Sequence, residues 1–187
     1  MTASSPDNPR RRLVVRRAVP SDLGGIMAIE NVSFPTPWSE STMRRELADT
    51  DAGTYLCADV CGRVAGYVGA WIYSGECHIL NIAVSPDFRG TGLGEILMLG
   101  ILDVAILKGC DNAMLEYRVG NSTAEALYLK LGFVVVGRRP NYYFDTNEDA
   151  SLATLADLQT QARQASLADL RKLWEHKHEH EWALEVA

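Results

Sequence analysis

Asn81-Ile82-Ala83-Val84-Ser85-Pro86-Asp87-Phe88-Arg89-Gly90-Thr91-Gly92-Leu93-Gly94-Glu95 is the stretch whose reading decides the fold. Its first part belongs to a strand, His78–Val84, that stops before Pro86. Its last part opens a helix, Gly92–Lys108, in which Leu93, Leu97, Gly100, Ile101, Val104 and Ala105 recur at helical spacing. Gly109 ends that helix. The turn between them is rich in glycine, which lets the backbone present its N–H groups to a ligand with no side chain in the way. A helix N-terminus adds a positive dipole, and the two together make a seat for a pyrophosphate. A plain tight turn is the other reading of the same residues. Two further nucleotide readings fail on identity. A Walker A loop needs Gly-Lys-Ser/Thr, which is absent, and Glu95 stands at the sixth position from Gly90, where a Rossmann fingerprint needs glycine.

Upstream, Arg12–Ala18 reads as a strand, followed by a short helix, Asp22–Glu30, capped by Ser21. Phe34-Pro35-Thr36-Pro37-Trp38 is a stiff connector because each proline fixes its φ angle, and Ser39 caps a second helix, Glu40–Ala48. Thr54–Val60 and Val64–Tyr73 are strands joined by a hairpin through Cys61-Gly62-Arg63. Downstream come a strand, Ala113–Arg118, a helix, Ser122–Leu131, capped by Asn121, and a strand, Phe133–Arg139. After Asp145, the spacing of Leu152, Leu155, Leu158, Ala162, Ala165, Leu167 and Leu170 predicts one or two amphipathic helices, so that residues 146–180 form a helical insert. Glu181–Ala187 then alternates as a closing strand. The order strand, two helices, three strands, helix, strand, helix, strand, extra helix, strand describes an α/β domain with a mixed, twisted sheet. That domain covers residues 12–187, and residues 1–11 form a disordered tail.

The 187 residues carry a net charge of −6. The first twenty hold five arginines against Asp7, or +4, which leaves −10 for the rest. An acidic body argues against a general nucleic-acid binder. It suits a cationic peptide as partner, or is simply a solvated surface. Cys57, Cys61, Cys77 and Cys110 have no C-x-x-C spacing, which fits a reducing, cytoplasmic compartment without a zinc site. The N-terminal stretch is polar and then Arg-rich rather than signal-like, and no apolar run approaches the ~20 residues of a membrane span. His176, His178 and His180 could hold a metal from one face of a strand. With no companion cysteine or second cluster, they read as part of a solvated tail, and no metal site is expected.

From Asn81 through Arg-x-x-Gly-x-Gly, the sequence resembles the acetyl-CoA motif of the GNAT acetyltransferases. Leu115-Glu116-Tyr117-Arg118, Asn121, and Ala126-Leu127-Tyr128-Leu129-Lys130-Leu131-Gly132-Phe133 continue the resemblance in the family's order. Phe34–Ser39 and Arg138-Arg139-Pro140-Asn141-Tyr142-Tyr143 resemble the RimI branch, which acetylates the N-terminal alanine of a small-subunit ribosomal protein. The likeness runs from Val15 to Tyr143, about two-thirds of the chain.

The resemblance implies a GNAT fold, acetyl-CoA as donor and a protein N-terminus as acceptor. It also implies roles. Ile82, Ala83 and Val84 would pair with the pantetheine arm, leaving a backbone N–H for the thioester carbonyl. Arg89, Gly90, Thr91, Gly92, Leu93, Gly94 and Glu95 would wrap the pyrophosphate, and Asn121 would touch the cofactor. Glu116 matches the family's general base and Tyr128 its general acid, while Trp38, Tyr142 and Tyr143 would meet the substrate. Read without the resemblance, Glu116 is an outward, solvated carboxylate, Tyr128 a core residue and Trp38 a core anchor. Lysine side chains or small amines are alternative acceptors, and a non-catalytic acetyl-CoA-binding interaction module is the alternative to an enzyme.

Overall fold

The computed structural model describes residues 10–48 and 53–187. The proposed N-terminal tail therefore lies outside the described residues except for Arg10 and Arg11, and Arg11 already begins the first strand. Among the described residues eight strands form one sheet: β1 (Arg11–Arg17), β2 (Gly53–Val60), β3 (Arg63–Tyr73), β4 (Glu76–Val84), β5 (Asn112–Arg118), β6 (Val134–Tyr143), β7 (Glu148–Leu155) and β8 (Trp182–Val186). Their order across the sheet is β6-β7-β5-β4-β3-β2-β1-β8. The β4–β5 and β1–β8 pairs are parallel and the others antiparallel.

Five helices among the described residues cover the two faces: α1 (Leu23–Ser33), α2 (Glu40–Ala48), α3 (Leu93–Leu107), α4 (Ser122–Lys130) and α5 (Gln161–His178). Successive strand residues point to opposite faces, and β2 shows the division. Leu56, Ala58 and Val60 join the core under α3, whereas Tyr55 and Cys57 join the core under α1 and α2. Helix α3 is apolar nearly all round, as a helix buried on more than one side must be. The sheet covers one side, and α5 lies along another, tied to it by an ion pair between Arg171 and Asp103.

Two expectations need correction. Glu148–Leu155 is not helical but the strand β7, paired on one side with β5 and on the other with β6. Its leucines sit at helix-like spacing, yet Ala150, Ala153 and Leu155 are the buried set. The helical part of the C-terminal segment is α5, capped by Thr160, whose Oγ1 accepts from Arg163 N at 3.3 Å. The closing strand is present at Trp182–Val186, beside β1. At the other end of the chain Ser21 caps no helix; a 3-10 turn, Pro20–Asp22, precedes α1, and Asp22 Oδ2 accepts from Val19 N at 2.8 Å. Among the described residues, no helix is long and apolar enough to cross a membrane.

Candidate active site

Strands β4 and β5 pair only from Glu76–Asn112 to Ile79–Leu115. Beyond that point β4 continues from Leu80 to Val84 with no strand on its β5 side among the described residues. The cause is visible in the β3–β4 register, where Gly69 faces Asn81 and Ala70 faces Ile79, so Leu80 is an extra residue. Such a bulge bends its strand. Ile82, Ala83 and Val84 lie on this diverging segment, with an edge free for an extended ligand.

The diverging segment ends at the glycine loop. Gly90 and Gly92 have φ of +78° and +83°, the left-handed region open to glycine. The amides of Gly90, Thr91, Gly92, Leu93 and Gly94 donate to no group among the described residues. Five unpaired N–H groups at the head of a helix are an anion seat, which fits the predicted pyrophosphate. The side chains of the loop serve mainly to hold it. Arg89 donates to Val84 O at 3.2 Å and to Ser33 Oγ at 3.3 Å. Thr91 Oγ1 donates to Phe88 O at 2.7 Å, and Glu95 pairs with Lys130 of α4 at 2.6 Å. Leu93 is buried in the core. Asn121 Oδ1 accepts from Ala124 N at 3.1 Å, capping α4.

Glu116 stands on β5 one residue past the last β4–β5 pair, so it faces the opening. Its side chain is only 13% exposed, which corrects the solvated alternative. Oε2 meets Nε2 of His78 at 2.7 Å, and Oε1 meets the Arg139 guanidinium at 3.0 Å. His78 and Arg139 were not foreseen in these roles. His78 lies 38 residues away in sequence, and only the parallel pairing of His78 with Met114 brings it beside Glu116.

Tyr128 approaches from the other face. On β5, Ala113, Leu115 and Tyr117 turn toward α3 and α4, while Glu116 turns the opposite way. Tyr128 packs edge-on against Tyr117, with ring centroids 5.3 Å apart, and against Phe133 at 6.0 Å. Its hydroxyl donates to no group among the described residues, and burial pushes its pKa well above the ordinary tyrosine value.

Polar contacts tie the connector that carries Trp38 to the turn after Tyr142 and Tyr143, whose ring centroids lie 5.1 Å apart. Thr36 Oγ1 donates to Asp145 Oδ2 at 3.0 Å, which ties the α1–α2 connector to the turn after β6. Arg118 also grips Asp145, at 2.7 and 2.9 Å, and lies 3.9 Å from the centre of the Tyr143 ring. Burial pushes Tyr143 up to about 12, against the pull of that guanidinium. Tyr142 is 40% exposed. A further residue escaped the sequence reading. Glu30 is 1% exposed, accepts from Trp38 N at 2.9 Å, and is bonded by the Tyr67 hydroxyl. Desolvation raises its pKa, while the bond from Trp38 works in the opposite sense.

The His176–His180 run is solvated at His176 and His180, whose side chains are 83% and 89% exposed, but not at His178. It ends a helix rather than lying on a strand, and His178 is 7% exposed, packed on Trp174 with ring centroids 4.9 Å apart. Among the described residues, no three His, Cys, Asp or Glu side chains gather as a metal site would require.

A family model for the GNAT acetyltransferases matches residues 23–133, more than half of the chain. The chain belongs to the GNAT acetyltransferase family. It is 34% identical over 137 residues to the ribosomal protein bS18-alanine N-acetyltransferase of Salmonella typhimurium, covering 72% of this chain and 91% of that one. A Bacillus subtilis protein named as a candidate for the same activity is 36% identical over 141 residues, 75% of this chain and 93% of its own. The crystal structure of the Escherichia coli ribosomal-protein-S18-alanine N-acetyltransferase superposes with a TM-score of 0.72 at 30% identity, over 78% of this chain and 94% of that one. This GNAT protein is thus an N-acetyltransferase enzyme. Helix α5 packs along α3, and β8 closes the edge of the sheet beside β1.

Proposed function

We propose that this enzyme transfers an acetyl group from acetyl-CoA to the α-amino group of a protein N-terminus, with a ribosomal protein as the acceptor named for its relatives. The observation that carries this reading is the placement of Glu116, with His78 and Arg139, at the mouth of the β4–β5 opening. Acetyl transfer needs a neutral amine. An α-amino group titrates at about 7.7–8.0 and lysine at about 10.4, so near pH 7 roughly a tenth of N-termini are already neutral and far fewer lysines are. The gap of about 2.5 pKa units corresponds to about 3.5 kcal/mol of deprotonation. A carboxylate with an imidazole bound to it suffices for the easier of these tasks.

In this reading, Glu116 fixes the orientation of His78, and the pair takes the proton from the amine, directly or through water. Arg139 keeps the second carboxylate oxygen in place. The free edge at Ile82–Val84 holds the pantetheine arm by main-chain bonds, with one N–H opposing the charge that develops on the thioester oxygen. The amides of Gly90–Gly94 take the pyrophosphate, with the Asn121 amide group near the cofactor. Tyr128 stays protonated because burial raises its pKa. Full proton transfer from such a phenol to a thiolate of pKa about 8.5 is uphill, so Tyr128 stabilises the leaving sulfur mainly as a hydrogen-bond donor. Trp38, Tyr142 and Tyr143 line the approach of the peptide.

The test is acetylation of paired peptides. One carries a free N-terminal alanine and no lysine; the other has its N-terminus blocked and a free lysine. Turnover on the first and none on the second is expected. Equal turnover on both would replace the N-terminal reading with a general amine acetyltransferase. Tight acetyl-CoA binding with no turnover on any peptide would favour an interaction module.

A further inference from the structure

The side of the glycine loop away from its free amides is held by residues from the far end of the chain. Trp174 Nε1 on α5 donates to Gly92 O at 2.9 Å, and Trp182 Nε1 on β8 donates to Thr91 O at 3.2 Å. Both indoles are almost fully buried, at 2% and 3% exposure. His178 completes the seat. A Cβ on Gly92 would lie 2.5 Å from Trp174 Nε1 and 2.6 Å from His178 Nε2, so the two side chains press on the backbone itself. Trp182 is fixed in turn by the guanidinium of Arg11, 4.5 Å from its ring centre, and by the parallel pairing of β8 with β1.

A trans peptide unit points its C=O and its N–H in opposite directions. Holding the Thr91 carbonyl on one side therefore aims the Gly92 amide to the other, and holding the Gly92 carbonyl does the same for the Leu93 amide. These are two of the five unpaired donors of the loop. Gly92 O also accepts from Glu95 N at 3.1 Å and Ile96 N at 3.2 Å, so the indoles add to the hold of the helix. Without them the Gly-Thr-Gly segment would sample more conformations, which an anion would have to order on binding. A donated hydrogen bond to a carbonyl also polarises the amide beyond it.

We propose that α5 and β8 form a brace for the pyrophosphate loop, in which Trp174 and Trp182 are positioning residues that preset the Gly92 and Leu93 amides for the acyl donor. The proposal rests on the reading of the loop as the pyrophosphate seat. It makes affinity for the diphosphate part of the donor depend on the last two elements of the chain, and leaves the acetyl-transfer step itself untouched.

The experiment compares CoA with pantetheine, which lacks the diphosphate and nucleotide, by calorimetry on the full-length protein. Kinetics with acetyl-CoA and S-acetylpantetheine accompany it. Trp174→Phe and Trp182→Phe keep an aromatic ring and remove the N–H. Each is expected to weaken CoA roughly tenfold and to raise KM for acetyl-CoA with kcat at saturation unchanged. Pantetheine binding and the kinetics with S-acetylpantetheine should stay as in the wild type. Unchanged CoA affinity in both variants would overturn the brace, as would equal losses for CoA and pantetheine. Should either variant fail to fold, the wild type gives a second measurement: the indole N–H resonances of Trp174 and Trp182 should shift on adding CoA and not on adding pantetheine, and the absence of both shifts would overturn it. Failure of the underlying loop reading looks different, because wild-type protein would then bind CoA no more tightly than pantetheine.

Discussion

His78 Nε2 lies 2.7 Å from Glu116 Oε2, across the last paired step of two parallel strands before they part. The contact places a carboxylate–imidazole pair where β4 and β5 part and leave a gap between strands. In the proposed mechanism His78 and Glu116 act as a single acid–base unit. Glu116→Gln is expected to lower kcat by about 10²–10³ at pH 7 while leaving acetyl-CoA affinity close to wild type. The loss should shrink as pH rises and the amine deprotonates itself. His78→Gln should show the same high-pH recovery. Rate profiles over pH 6–10 check this, and a His78→Gln enzyme with wild-type rates at pH 7 would leave Glu116 acting alone.

Gly92→Ala is expected to be more damaging than a methyl group suggests. The residue has φ +83°, and its new Cβ would meet two buried rings at 2.5 and 2.6 Å. The left-handed conformation alone costs a non-glycine residue about 1 kcal/mol or more. Trp174 cannot move aside without releasing the Gly92 carbonyl that its Nε1 holds. Calorimetry should find CoA binding weakened at least tenfold, together with a lowered melting temperature. Wild-type values for both would mean that the loop is not held as tightly as these contacts imply.

These contacts also show where sequence was a sufficient guide and where it was not. The glycine loop, the helix after it and the strand before it were legible because their signals are local: left-handed glycines, a proline stop and a helical apolar stripe. Strand β7 was not legible. Its residues Glu148-Asp149-Ala150-Ser151-Leu152-Ala153-Thr154-Leu155 have weak strand propensity and leucines three apart. What makes it a strand is the pair of neighbours on either side, a tertiary effect that outweighs propensity. His78, Arg139 and Glu30 escaped for a related reason, since each gains its role from a partner brought close only by the sheet or by the α1–α2 connector. Of the histidine run only His178 misled, because it is buried by the packing of α5 against Gly92, far away in sequence, whereas His176 and His180 are solvated as their polar surroundings suggest.

Glu30 offers a pH signature. Desolvation among α1, Tyr67 and the Trp38 connector raises its carboxyl above the ordinary 4.5, so the folded state holds the proton more tightly than the unfolded chain. The stability from this site is therefore fully present below the unfolded value and is lost as pH rises through the folded one. Glu30→Gln cannot ionise and does not share that loss. Its melting temperature relative to wild type is expected to climb as pH is raised from about 4 upward, and then to level off above the folded pKa. A difference independent of pH would show that Glu30 titrates alike in both states.

The two ends of the C-terminal segment should differ sharply in what their removal does. Residues 148–155 form an interior strand, bonded to β5 on one side and β6 on the other. Deleting them with a short linker would strip β5 of the partner that holds Tyr117 and Glu116 in register, and would leave β6 with no neighbour. Loss of folding is the expected outcome, read as absence of a cooperative thermal transition. Removing Glu181–Ala187 takes away only an edge strand, so the rest of the sheet remains paired. The loss is still substantial, since Trp182 is 3% exposed and deleting a buried tryptophan side chain costs about 3–5 kcal/mol. The ion pairs of Arg11 with Glu181 and of Arg12 with Glu185 add little, because all four side chains are at least one-third exposed. The truncated protein should thus fold with a clearly lowered melting temperature. It should also associate more readily through the bared edge of β1, which offers unpaired backbone groups to a second chain. An unchanged melting temperature would mean that Trp182 contributes nothing net to the fold.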